Sequence, residues 1–225
     1  MADKFECRFC KKKFSKENTL LVHKCMKKQR YEDRDTVGAR LGLEAYNLFL
    51  KSCSNRKQET QESFIHSKYY KDFVKFGRAL CDLNPLSTED YIKYLVKEGV
   101  ALNKWCRAET YDKYIINHLE TEPVQRGLER SITVMADWAE RNNMTYADYF
   151  NHVSTFEAVS HIQSGKITPW LMYLSDGGQA LMERFSQDQI KIIQGIINPG
   201  EWQLIFNQRR SDVNFALEII DSASL

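Results

Sequence analysis

The sequence predicts a mostly α-helical fold with one small unit of different construction at its N-terminus. Three observations carry that expectation. Cys7, Cys10, His23 and Cys25 follow one another as C-x2-C-x12-H-x-C, with Phe5, Phe14 and Leu20 among them. From Ser63 onward, apolar residues recur at three- and four-residue intervals, the period of a helix with one buried face. Outside the N-terminal unit no convincing alternating run of the strand type appears, and no fixed-period repeat is evident.

The N-terminal spacing has a physical reading. Two cysteines two residues apart sit on one tight turn and present both sulfurs to a single point. The twelve residues before His23 leave room to turn back and enter a helix that returns an imidazole to that point. Phe5, Phe14 and Leu20 supply a miniature core. So short a unit buries too little surface to fold unaided, and metal binding contributes the rest, about 10–16 kcal/mol apparent in comparable peptides near neutral pH. The segment is expected to be unfolded without zinc.

Up to His23 these residues resemble the C₂H₂ zinc finger family. Phe5 matches its aromatic before the first cysteine, Phe14 its aromatic after the second, and Leu20 its leucine before the first histidine. The resemblance covers about 25 of the 225 residues and implies a ββα-like finger holding zinc. It departs at the fourth ligand, because Lys27, Lys28 and Gln29 stand where the family has its second histidine. Cys25 is the nearest donor. Residues two apart on a helix point to opposite sides, so Cys25 reaches the metal only if the helix ends or changes pitch just after His23. Water, Cys53 or His66 are the alternatives. The predicted ligands are therefore Cys7, Cys10, His23 and Cys25.

The remaining elements follow in order. A finger helix is expected from an N-cap near Ser15 to His23. The charged stretch KKQRYEDRD continues outward as helix or hinge. The run Ala39–Cys53 places Leu41, Ala45, Leu48 and Phe49 at helical spacing, and the polar stretch 54–62 reads as a linker. One helix is expected from Ser63 to Asn84-Pro85, through Phe64, Ile65, Tyr69, Phe73, Phe76 and Leu80. Another is capped by Ser87 or Thr88, carries Glu89 and Asp90 in its first turn and stops at Gly99. Further helices are expected over 108–120, 124–141, 145–163, 178–196 and 200–220. This gives a finger over 1–30, a charged helix and linker over 31–60, and an irregular multi-helix domain over 61–225. Cys53, Cys81 and Cys106 lack paired spacing and read as buried free thiols.

The formal net charge of +2 conceals a polarity. Residues 1–30 carry +7 and residues 31–225 carry −5. A basic finger on a mildly acidic body points to a polyanion partner, nucleic acid, at one end. On the finger face that reads bases in the family, this chain has Lys16, Thr19 and Val22, a weak reading head, and one finger spans only about 3 bp. Phosphate contact from Lys11, Lys12 and Lys13 and from Lys27, Lys28 and Arg30 is the stronger expectation, without marked sequence preference.

Enzyme chemistry is not expected. No phosphate loop, dinucleotide fingerprint, paired-histidine zinc motif or nucleophile elbow occurs. His118, His152 and His161 lack paired ligands, and Tyr173–Gly178 reads as a helix stop and turn rather than a phosphate cradle. Arg209 and Arg210 read as exposed helix charges. No signal-peptide layout or membrane-length apolar run is seen, and reduced thiols suit the cytoplasm. Two other roles compete with nucleic-acid binding: a protein-interaction adaptor that docks through the finger, and a finger that only staples the chain terminus to the body. The layout as a whole is similar to uncharacterised proteins of large tailed bacteriophages. That resemblance implies a setting in the infected bacterial cytoplasm, in phage DNA metabolism or transcription.

Overall fold

The computed structural model describes residues 5–53 and 57–225. The chain divides into two compact units, Met1–Thr110 and Tyr111–Leu225. The expected class holds: one small antiparallel sheet at the N-terminus, then fifteen α-helices among the described residues. None of them is long and apolar enough to cross a membrane.

The first unit opens with β1 (Phe5–Glu6) and β2 (Lys13–Phe14), paired in the register Phe5 to Phe14 and Glu6 to Lys13. Two short helices follow, α1 (Glu17–Leu21) and α2 (Met26–Glu32), then α3 (Val37–Cys53), α4 (Gln61–His66), α5 (Tyr70–Leu83) and α6 (Thr88–Lys97). Helices α3 and α5 cross at glycines. A Cβ built on Gly77 would stand 2.3 Å from the Gly38 carbonyl oxygen and 2.5 Å from the Gly42 nitrogen. Absent side chains thus let two backbones touch. Around this crossing, Tyr46, Phe64, Phe73, Phe76, Tyr91 and Trp105 pack as tilted and edge-on ring pairs 5–6 Å apart. The Tyr91 hydroxyl donates to the Trp105 carbonyl at 3.0 Å, and the Trp105 indole donates to Val100 at 2.8 Å.

Helix α7 (Ala108–Thr121) leads into the second unit, which contains α8 (Val124–Asn142), α9 (Tyr149–His152), α10 (Thr155–Gln163), α11 (Pro169–Leu174), α12 (Asp176–Glu183), α13 (Gln187–Ile193), α14 (Pro199–Gln208) and α15 (Arg210–Ser222). Its core runs from Leu128, Met135 and Trp138 on α8 to Trp170 and Trp202, whose rings meet edge-on at 5.7 Å. Buried Ser131 ties α8 to the start of α11 by donating to the Gly127 carbonyl and accepting the Thr168 N–H, each at 2.9 Å.

Several long helices expected from periodicity are broken. The 63–84 run is two helices, because Ser67 adopts an extended backbone and its hydroxyl accepts the Tyr69 N–H. The 145–163 run begins with a capping box between Thr145 and Asp148, then restarts where Ser154 caps α10. In place of one helix over 178–196, α12 starts two residues early at Asp176, capped by Ser175, and a Ser186–Gln189 capping box opens α13. The 200–220 run breaks at Arg209, whose guanidinium turns to the carbonyls of Glu120 and Glu122 at 2.9 and 3.1 Å and lies over Trp170. Arg209 is therefore an internal tie rather than an exposed helix charge. The expectation of buried thiols fails at Cys53 and Cys81, which are exposed. Cys81 follows the last inward residue of α5, Leu80, and falls off its buried face. Of the expected linker, residues 54–56 lie outside the described residues.

Candidate metal centre and basic surface

The metal-ligand candidates converge because the β-hairpin, α1 and the link after it meet at one point. Between β1 and β2 the chain makes a tight knuckle. The Cys7 N–H donates to the Lys12 carbonyl at 2.9 Å, and the Lys11 N–H donates to the Cys7 carbonyl at 2.8 Å. Lys11 has a left-handed φ of 61°, a conformation that costs a non-glycine residue energy and that the hairpin closure enforces. The knuckle turns the Cys7 and Cys10 sulfurs to the same side.

Helix α1 is shorter than expected. It starts at Glu17 behind Lys16, without a side-chain cap, and ends at Leu21. His23 therefore lies beyond the helix, and Cys25 forms the N-cap of α2 with an extended backbone. That removes the obstacle to an H-x-C pair. On an irregular link, residues two apart are no longer held to opposite faces.

The outcome is one cluster. The donor atoms of Cys7, Cys10, His23 and Cys25 all lie within 4.8 Å of one another, and the Cys10 Sγ is 3.3 Å from the His23 Nε2. A tetrahedron with metal–sulfur bonds of about 2.3 Å places its sulfurs roughly 3.8 Å apart. The donors reach that geometry with small movements, so the group is competent to hold a metal ion. Cys7 and Cys25 are buried, and the Phe14 ring leans on His23 with centroids 4.9 Å apart. Phe5, Phe14 and Leu20 are half-buried, a thin core of the kind that needs a metal.

The electrostatics of the cluster also suit a cation. The Cys7 thiol is lowered to about 7, chiefly by the backbone N–H of Cys10. The Cys10 thiol is pushed up, since desolvation and the neighbouring Cys7 and Cys25 outweigh the backbone N–H of Lys12. Once deprotonated, three sulfurs so close together would repel, and a bound divalent ion would relieve that repulsion. Three thiolates and one imidazole form a soft donor set that fills a tetrahedron and leaves no position for water.

Most of the basic candidates are solvent-facing. Lys11, Lys12, Lys13, Lys16, Thr19, Lys27 and Lys28 are exposed. Lys11 and Lys13 reach Glu6 only at 4.0 Å, and Lys28 reaches Glu32 at 3.7 Å, loose surface pairs that leave the charges free to act elsewhere. Arg30 is placed differently. It is half-buried, donates to the carbonyls of Ile65 and Ser67 at 3.1 and 3.3 Å, and covers the Tyr70 ring at 4.8 Å. Sequence reasoning missed this tie between α2 and the α4–α5 turn, because carbonyl partners 35 and 37 residues away leave no pattern. It also missed that Leu21 and Met26 join Val22, already expected on the outer face, in an apolar patch on the finger surface, each of the three 72–76% exposed.

No family model, no curated protein and no solved structure matches the chain.

Proposed function

We infer that the protein holds one structural zinc ion through Cys7, Cys10, His23 and Cys25, and that the folded finger presents a lysine-rich surface to the phosphate backbone of nucleic acid. The observation that carries this reading is the convergence of four soft donors beneath that surface. Zinc is supported by the donor set, and a structural role by the absence of an open coordination position. Phosphate contact is supported by exposed lysines at 11–13, 16 and 27–28 with few close carboxylates. Binding is weak and tolerant of sequence, since Val22 and Thr19 offer bases little to read. No catalytic role is assigned. The similarity of layout to tailed-phage proteins is what supports a setting in viral DNA metabolism or transcription.

Elemental analysis of wild type and Cys25→Ala, each titrated with a short DNA duplex at low and moderate salt, tests the reading. We expect one zinc per chain, weaker retention in the variant, and DNA binding that falls with salt and is lost on chelation. A metal-free native protein would overturn the assignment of zinc. DNA binding untouched by chelation would overturn the role of the finger.

One observation favours a second reading. Leu21, Val22 and Met26 form exposed apolar surface on a finger otherwise rich in charge, and such surface suits a protein partner. Excess DNA would then leave partner binding intact, whereas a finger committed to phosphate would release its partner.

A further inference from the structure

A second cationic surface lies on the helical part of the first unit. Helix α5 carries Lys71, Lys75 and Arg78 at intervals of four and three, so all three stand on one face. They line a cleft of about 590 Å³ whose opposite wall is α2, with Met26, Gln29 and Arg30. All three are exposed, and none forms an ion pair among the described residues. Two carboxylates, Asp33 and Asp72, share the cleft with its four cations, so the charge stays positive. Over seven residues the row extends about 10 Å along the helix.

We propose that this cleft is a second nucleic-acid contact, in which the phosphate backbone lies along α5 and continues from the finger across α2. The proposal rests on the reading of the finger as a nucleic-acid module and adds a site on the helical body. Charge complementarity selects the occupant. A row of unpaired cations at regular spacing matches a polymer with a regular repeat of negative charge. Continuity supports it too, since α2 forms one wall of the cleft and also carries Lys28, which lines a shallow hollow of the finger beside Glu6, Phe9 and Leu20. Arg30 ties that wall to the α4–α5 turn by its bonds to the carbonyls of Ile65 and Ser67. Pre-set cations lose less freedom on binding than mobile ones. The side chain of Arg78 is held as well: its stem crosses Gly38, where an added Cβ would stand 2.5 Å from the Arg78 Cγ.

The salt dependence of binding tests the proposal. Zinc-loaded full-length protein is titrated with labelled duplex DNA, single-stranded DNA and single-stranded RNA between 50 and 300 mM salt, and the tightest probe is carried forward. Lys71→Gln/Lys75→Gln is compared with wild type, with Lys12→Gln/Lys27→Gln on the finger, and with Lys97→Gln/Lys104→Gln, which removes the same charge elsewhere. Each lost phosphate contact lowers the slope of log affinity against log salt by about 0.9 on duplex or 0.7 on a single strand. The α5 variant is expected to lose between one and two units of slope and roughly tenfold or more in affinity near 0.1 M salt. The Lys97/Lys104 variant keeps the wild-type slope, and circular dichroism confirms that every variant is folded. An α5 variant with the wild-type slope beside a weakened finger variant overturns the cleft and leaves the finger reading standing. An equal loss in the Lys97/Lys104 variant overturns it as well, since general charge would then explain the effect. Wild type that binds none of the probes overturns both.

Discussion

Glu122 is the most demanding single residue in the second unit. Its side chain is almost closed off from solvent, yet it accepts two bonds from Arg130 at 2.6 Å each and has His118 at 3.5 Å. Burial raises its carboxyl, but the bonds from Arg130 and His118 outweigh that, and the net shift is downward. The charge is thus retained where α7 hands over to α8. Removing one partner of such a pair leaves the other poorly satisfied, at a cost of about 3–5 kcal/mol when both are fully buried. Arg130 keeps some contact with water, so Glu122→Ala is expected near the lower end, about 3 kcal/mol, in denaturant unfolding. The pH dependence has a definite sign. A carboxyl lowered on folding stabilises fully above its unfolded value, about 4.3, and the contribution is lost as pH falls through the lower folded value. Wild-type and variant stabilities should therefore converge as the pH drops below about 4. A gap that stays constant down to pH 3 would show that Glu122 acts through packing alone.

At the scale of elements, the α3–α5 crossing is the tightest feature of the first unit, and it depends on glycine. Gly77→Ala would drive a methyl group into the backbone of α3 at Gly38 and Gly42. Backbone cannot turn aside as a side chain can, so the helices must separate. A loss of about 1–3 kcal/mol is the usual range for overpacking, and this site belongs at its upper end. Gly99→Ala is a poor comparison because Gly99 has a positive φ, whereas Gly195 faces only the flexible tip of Ile116. Thermal melts should therefore place Gly77→Ala well below Gly195→Ala, and equal melting temperatures would refute the close-contact account. Helix identity was legible in the sequence wherever apolar period ran uninterrupted, as in α5, α6 and α8. Helix ends were less so. The 145–163 and 178–196 runs look continuous to a period count, yet Thr145, Ser154 and Ser186 each have an acid or amide three residues later. Those cap signatures were present and were outweighed by period. The Arg209 break was hard to see, because the carbonyls that draw its guanidinium away belong to residues 87 and 89 positions distant, and the nearby Asp212 that it also pairs with reads as an ordinary helix ion pair.

For the molecule as a whole, the metal cluster and the cationic cleft differ in how much the sequence reveals. Four ligands within nineteen residues carry their geometry in their spacing, and only the fate of Cys25 waited on where α1 ends. Lys71, Lys75 and Arg78 read like any solvated helix face until α2 is seen opposite them. The two-unit organisation has a consequence for metal removal. The finger core of Phe5, Phe14 and Leu20 is thin and half-exposed and, on the reading proposed above, depends on the ion, whereas Tyr111–Leu225 has a buried core of its own around Trp138, Trp170 and Trp202. Bound zinc stabilises only the structure that requires it. Chelation should thus abolish amide protection over residues 5–25 and weaken it in α2 and at the α4–α5 turn, where Arg30 transmits the loss through its carbonyl bonds. Protection in α8, α11 and α14 should stay at its zinc-loaded level. Hydrogen exchange with and without a chelator separates the cases. Loss confined to 5–25 would mean that the Arg30 tie holds without the metal. Loss extending through Tyr111–Leu225 would mean that the second core does not stand by itself, contrary to the self-contained packing of its tryptophans.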